Sequence, residues 1–235
     1  MEIIPAETFG ITISGRAIDG NPEDNLVVKA YNLLRKEFDL PPVQIYLRKN
    51  IPMGAGLGGG SADGAFMLKL LNNHFNLQLS YDSLESKAKN LGSDCPFFIR
   101  NRPVLATGTG TEFSPIKLNF QNHKIAIVYP GIHVNTAKAY AGLQLSGEGI
   151  GLSEILTQSP NTWKDILFND FEESVSSQQP DISEIKKQFY DSGAVYSSMS
   201  GSGSAVFGLF EENTLPANWT NSFNFPAENL FSGSL

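Results

Sequence analysis

Five of the seven residues at positions 54–60 are glycine, from 22 glycines in a chain of 235. The run reads Pro52-Met53-Gly54-Ala55-Gly56-Leu57-Gly58-Gly59-Gly60-Ser61-Ala62. Glycine at that density costs backbone entropy on folding, so it belongs where bare backbone must approach something closely. Residues 62–72 are mostly good helix formers. Phe66, Leu70 and Asn73, with Met67 and Leu71, have the spacing of a helix buried on much of its surface. A glycine loop feeding a helix gathers orphan N–H groups and the positive end of the helix dipole at one spot. The chemistry of such a spot is anion binding, and a nucleoside triphosphate is the anion expected here. The competing reading is a glycine turn packed tightly on its neighbours.

Other candidates are sparser. Ser61 can cap the helix or offer a hydroxyl to a phosphate or to Mg²⁺. Asp94 lies in Ser93-Asp94-Cys95-Pro96, a turn sequence in which aspartate is common. Cys95 reads as a small buried side chain rather than a nucleophile. The three histidines, His74, His123 and His133, have no metal-ligand spacing and read as non-catalytic. Lys29 falls on a helix and reads as solvated. Gly201 and Gly203, in Ser200-Gly201-Ser202-Gly203-Ser204, either line a cleft or form a tight strand entry.

The elements that must hold these residues follow in order. One or two short strands are expected over 3–14, then a polar loop. Asp24 or Asn25 caps a helix reaching about Phe38, which Pro41-Pro42 stops. Residues 43–49 alternate apolar and polar, as in a half-buried strand entering the glycine loop. A helix over 81–91, capped by Ser80 or Asp82, ends at Gly92. Residues 93–99 read as a turn into an apolar segment, and 103–113 as a strand with a Gly108-Thr109-Gly110 turn. In the second half, 124–129 is the clearest strand, and Asn135 or Thr136 starts a helix. A loop is expected over 147–151, helices over 161–176 and 182–192, and strands over 194–199 and 205–210. The tail beyond Glu211 has weak periodicity and is left unassigned. Interleaved strands and helices without a repeating βαβ pattern predict α+β layers. The domain boundary is expected within 119–123, giving units 1–121 and 122–235.

Hydrophobic residues make up 41%, enough for a sizeable core, and the net charge is −7 with a pI near 5.0. That balance argues against nucleic acid or a membrane surface as partner. A single cysteine excludes an internal disulfide and suits a reducing compartment. No apolar run approaches the ~18 residues of a membrane span, and no secretory leader is visible. A soluble, cytoplasmic chain is expected.

The loop matches Gly-x-Gly-x-x-Gly, yet a helix follows where a dinucleotide fold needs a strand ending in an acidic residue. It lacks the lysine of a P-loop, and the protein-kinase loop leads into a strand. It closely resembles the ATP loop of the GHMP superfamily of small-molecule kinases, and Gly201-Ser202-Gly203 resembles that superfamily's third motif. Within it, Gly58-Gly59-Gly60-Ser61 and Leu91-Gly92-Ser93-Asp94-Cys95-Pro96-Phe97-Phe98 resemble the branch acting on 4-diphosphocytidyl-2-C-methyl-D-erythritol. So do residues 25–30, 130–136 and Asn169-Asp170-Phe171-Glu172.

The resemblance implies an α+β, two-domain GHMP-kinase fold, with a ribosomal-protein-S5-like N-terminal domain and a ferredoxin-like C-terminal domain. It implies transfer of the ATP γ-phosphoryl group to the 2-hydroxyl of that cytidine-diphosphate alcohol, with Mg²⁺, in non-mevalonate isoprenoid biosynthesis. Residues 52–62 would hold ATP, and Asp94 would act as base. Ala62 departs mildly, since many relatives have a second serine there. The family also opens with a lysine-bearing strand, whose lysine pairs with the motif aspartate, and an Asp-Gly-Tyr-His segment that helps hold the cytosine. Neither is present, so a chain shortened by roughly forty residues, a supersecondary unit's worth, is expected. Two alternatives stay open: a nucleotide-binding remnant without turnover, and a GHMP kinase for another alcohol.

Overall fold

The computed structural model describes residues 1–18, 20–143 and 151–235. They form two compact units: Met1–Met53 with Gly58–Ile116, and Gly54–Leu57 with Lys117–Leu235.

The first unit is built on a three-stranded sheet of β1 (Glu2–Pro5), β2 (Gly10–Gly15) and β3 (Val43–Lys49), in the order β1-β3-β2. β3 is central, antiparallel to β1 and parallel to β2, with Ile45 opposite both Ile3 and Ile11. Val43, Ile45, Leu47 and Lys49 share the buried phase of β3. Helices α1 (Leu26–Phe38) and α2 (Gly59–His74) pack on one another beside this sheet. The Asn25 side chain accepts from the Val27 N–H, capping α1, and Val27, Ala30, Tyr31 and Leu34 form its buried stripe. Gly64 lets the two helices approach, since a Cβ there would lie 2.9 Å from the Leu26 Cβ.

α2 buries Gly64, Ala65, Met67, Leu68 and Leu71. The expected apolar face is therefore rotated: Phe66 is exposed, with the Lys69 ammonium 4.6 Å from its ring centroid. α3 (Tyr81–Ala88) is shorter than 81–91, and residues 89–92 make tight turns back onto Lys87 and Ala88. Ser80 is its cap. The apolar segment after Asp94 is a helix, α4 (Cys95–Arg100), with Pro96 in the first turn, where a missing N–H costs nothing. A hairpin of β4 (Val104–Thr107) and β5 (Glu112–Pro115) completes the unit.

The second unit is a four-stranded antiparallel sheet in the order β7-β8-β6-β9, from β6 (His123–Val128), β7 (Tyr196–Met199), β8 (Val206–Glu211) and β9 (Leu230–Ser234). Its helices are α5 (Thr136–Ala141), capped by Asn135, then α6 (Leu152–Ile155), α7 (Phe171–Gln178) and α8 (Pro180–Asp191). Ile182, Ile185 and Phe189 of α8 enter a core shared with Val206 and Phe210. β9 lies in the unassigned tail and pairs with the free edge of β6, while Trp219 and Phe223 close on Phe189.

The single helix expected over 161–176 is two pieces, a 3₁₀ turn at Pro160–Asp165 and then α7. Asn169 divides them: its Oδ1 accepts from the Phe171 N–H, a local bond that competes with continuous helix. Of the loop expected over 147–151, residues 147–150 lie outside the described residues, and Gly151 opens α6.

Candidate functional site: a glycine loop and a free carboxylate

In the first unit, β3 delivers the chain to the loop and α2 carries it away. Gly58 is the N-cap of α2 at φ 64°, with no side-chain cap. The first N–H groups of the helix are therefore left without the capping partner most helices have. Ser61 is a first-turn residue, not the cap. Burial pushes the Cys95 thiol pKa up, and the Ser61 hydroxyl beside it offsets part of that effect. The neighbouring Asp94 carboxylate also pushes it up. Ser61 thus lies beside Cys95, whose chain neighbour is Asp94.

Asp94 sits at the N-cap of α4 but makes no capping bond. Its carboxylate is exposed and takes one contact, from the Ser93 hydroxyl at 3.3 Å. Among the described residues no cation lies within ion-pair distance of it. A carboxylate held by a rigid turn and free of competing partners is suited to accept a proton from a hydroxyl.

Sequence reasoning missed Lys49. Only 2% exposed, it pairs with Asp63 of α2 at 2.5 Å. Its ammonium lies beneath the helix start, 3.3 Å from where a Cβ on Gly59 would be. The signal was available: Lys49 occupies the inward phase of an alternating strand, directly before a glycine loop. Beside it, Ile13, Ile18, Leu26, Met53, Gly60 and Asp63 line part of a pocket of about 230 Å³.

In the second unit, the segment Gly54–Leu57 lies against the second glycine loop. Gly54 and Gly56 have φ of 67° and 76°. A Cβ on Gly54 would strike the His133 ring at 2.3 Å, and one on Gly56 the Ser200 carbonyl oxygen at 2.1 Å. Only glycine fits either place. Ala55 and Leu57 pack on Tyr129 and Ala205, so their side chains face the protein. None of the N–H groups from Gly54 to Gly58 has a partner among the described residues. The Ala62 N–H, by contrast, is taken by the Gly58 carbonyl at 2.8 Å. Pro52 is buried and Met53 is 49% exposed, its methyl 3.5 Å from a Cβ placed on Gly60.

The remaining candidates stand apart from this chemistry. Lys29 pairs with Asp24 at 3.2 Å, and the His74 ring is edge-on to Phe75. His123 lies near Phe120. No group of three or more His, Cys, Asp or Glu could hold a metal among the described residues. No helix there is long and apolar enough to cross a membrane.

Two family models and several known proteins match this chain. Residues 25–102 match the GHMP kinases N terminal domain, and residues 152–223 the GHMP kinases C terminal family. A 4-diphosphocytidyl-2-C-methyl-D-erythritol kinase of Bacteroides thetaiotaomicron is 56% identical over 92% of this chain and 80% of its own length. One from Bacteroides fragilis is 51% identical over 94% and 82%. A crystal structure of 4-(cytidine 5'-diphospho)-2C-methyl-D-erythritol kinase superposes with a TM-score of 0.82 at 27% identity, over 99% of this chain and 84% of that one. The chain belongs to the GHMP kinases, among the 4-diphosphocytidyl-2-C-methyl-D-erythritol kinases.

Proposed function

We propose that this chain transfers the γ-phosphoryl group of ATP to the 2-hydroxyl of 4-diphosphocytidyl-2-C-methyl-D-erythritol, a step of isoprenoid biosynthesis by the non-mevalonate route. The observation that carries the reading is the row of unpartnered N–H groups at 54–58, leading into the uncapped start of α2. Phosphoryl transfer needs alignment and charge stabilisation more than covalent chemistry. The amides of residues 54–61 hold the phosphates. The Lys49 ammonium, paired with Asp63, packs under Gly59 at the start of the helix, and the pocket beside Gly60 takes the apolar faces of the base.

Asp94 accepts or orients the proton of the attacking hydroxyl. The donors fit Mg²⁺ only as a phosphate-borne ion, since that metal keeps most of its water and takes few protein ligands. The Ser61 hydroxyl would hold it, and when bound it neutralises charge on the phosphate oxygens. Residues 1–121 supply the nucleotide and base functions and 122–235 support them. The cytoplasm is the proposed compartment.

The test is ADP release with ATP, Mg²⁺ and the cytidine-diphosphate alcohol, for the wild type and Asp94→Asn. Asp94→Asn lowers kcat by about 10²–10⁴ and leaves ADP affinity within about threefold, the span expected of a lost general base. Preference for homoserine or mevalonate would overturn the substrate. The second reading, a nucleotide binder without turnover, draws on the missing cation beside Asp94. ADP binding with no turnover in the wild type would select it.

A further inference from the structure

The motif Asn169-Asp170-Phe171-Glu172 has no part in the chemistry just described, yet two of its side chains turn toward one target. The Asn169 amide donates to the carbonyls of Met199 and Gly201, both at 2.8 Å. Glu172 accepts from the Met199 N–H at 2.6 Å and from the Ser198 hydroxyl at 2.8 Å. Its other oxygen pairs with Lys186 at 2.5 Å. At the far end, the Ser204 hydroxyl donates to the Ile132 carbonyl. The second glycine loop is thus tied down at both ends.

That loop holds the first one by its carbonyls. The Ser200 hydroxyl donates to the Gly56 oxygen at 2.8 Å, and the Ala205 N–H to the Ala55 oxygen at 2.9 Å. Both peptide bonds, 55–56 and 56–57, are trans. In a trans peptide the C=O and the following N–H point in opposite directions. Fixing the Ala55 and Gly56 carbonyls on the second loop therefore aims the Gly56 and Leu57 N–H groups away from it. Those two N–H groups are among the unpartnered ones.

We propose that Ser200 and Asn169 are positioning residues for nucleotide. Ser200 sets the peptide planes of the first loop directly, and Asn169 holds the second loop in the place from which Ser200 reaches. Neither touches the reacting atoms. The proposal rests on the assignment of residues 54–61 to phosphate.

The experiment measures Mg-ADP affinity by calorimetry, the KM for ATP and for the alcohol, kcat and Tm, for the wild type, Ser200→Ala, Ser200→Thr and Asn169→Asp. Ser200→Ala loses one neutral hydrogen bond and weakens Mg-ADP about three- to tenfold. The KM for ATP rises with it, while the KM for the alcohol stays within about twofold. Ser200→Thr keeps the hydroxyl and restores affinity. Asn169→Asp keeps the acceptor for Phe171 but faces two carbonyls with no donor, and weakens Mg-ADP about tenfold or more.

Unchanged Mg-ADP affinity in Ser200→Ala, failure of Ser200→Thr to restore it, or a parallel loss of both substrates with falling Tm overturns the proposal. Ser200→Ala removes a single oxygen at a half-buried place, so it decides the matter even where Asn169→Asp does not fold. A wild type that binds no Mg-ADP overturns the phosphate assignment itself, and this proposal with it.

Discussion

Replacing Gly56 by alanine separates loop geometry from overall stability. The residue sits at φ 76°, where a side chain costs about 1–2 kcal/mol. The new Cβ would lie 2.1 Å from the Ser200 carbonyl oxygen and 3.0 Å from that of Gly203. Both are backbone atoms in a loop tied down at its ends, so the first loop must be the one to move. Moving it breaks the bonds to the Ala55 and Gly56 carbonyls, at 2.9 and 2.8 Å. At about 1 kcal/mol for each bond, added to the backbone strain, the folded state loses about 3–4 kcal/mol. For a chain of 235 residues that lowers Tm by about 6–16 °C.

Nucleotide affinity falls further. The displaced loop no longer presents the Gly56 and Leu57 N–H groups, and a hydrogen bond to a charged group contributes about 1.5–3 kcal/mol. Losing two weakens Mg-ADP by at least about 3 kcal/mol, on the order of 100-fold. Calorimetric titration and thermal melts measure the two effects. Gly110→Ala is the control: its φ is 83°, but nothing lies within 4 Å of the added Cβ. It pays the backbone strain alone and binds Mg-ADP normally. Mg-ADP affinity in Gly56→Ala within threefold of wild type, or a loss no greater than that of Gly110→Ala, would refute the reasoning.

The Lys49–Asp63 pair is asymmetric, because Lys49 is 2% exposed and Asp63 28%. Asp63→Ala strands a buried ammonium and destabilises by about 3–5 kcal/mol in urea unfolding, while Lys49→Met leaves a carboxylate that water can reach and costs about half as much. The double change Lys49→Met with Asp63→Leu recovers most of the loss, and equal costs for the two single changes would contradict the burial argument. Tyr196 gives a pH signature, since burial pushes its phenol up to about 12 from 10.0. The unfolded chain loses this proton first, so the stabilisation is complete below pH 10 and is lost as pH rises toward 12, by up to about 2–3 kcal/mol. Tyr196→Phe should flatten that part of the stability curve, and parallel curves for the two proteins would rule out the assignment.

Much of the scaffold was legible because its signals are local. Asn25, the 27-30-31-34 stripe and the pair Pro41-Pro42 define α1 without reference to the rest of the chain. β6 and β8 are apolar runs closed by turns. What was illegible depends on distant partners. Residues 230–234, Leu-Phe-Ser-Gly-Ser, have little strand character of their own and become β9 because β6 offers an unpaired edge. Asn169 breaks a helical stretch because Met199 and Gly201, some thirty residues on, need its donors. Asp63 acquires a role only once the fold sets it against Lys49.

The glycine loop itself held more than its composition conveyed. A count of glycines says that bare backbone approaches something, and the order of residues says from which side. Gly54, Gly56 and Gly58 all have positive φ, and between them stand Ala55 and Leu57. Their side chains pack against Tyr129 and Ala205, on the side where the Ala55 and Gly56 carbonyls are also held. Alternating a glycine with a small or apolar anchor makes a ribbon with one face bound to the protein. The other face then carries N–H groups with no partner of their own. An anion is the ligand such a face selects, and the anchors are the reason it is presented in one geometry.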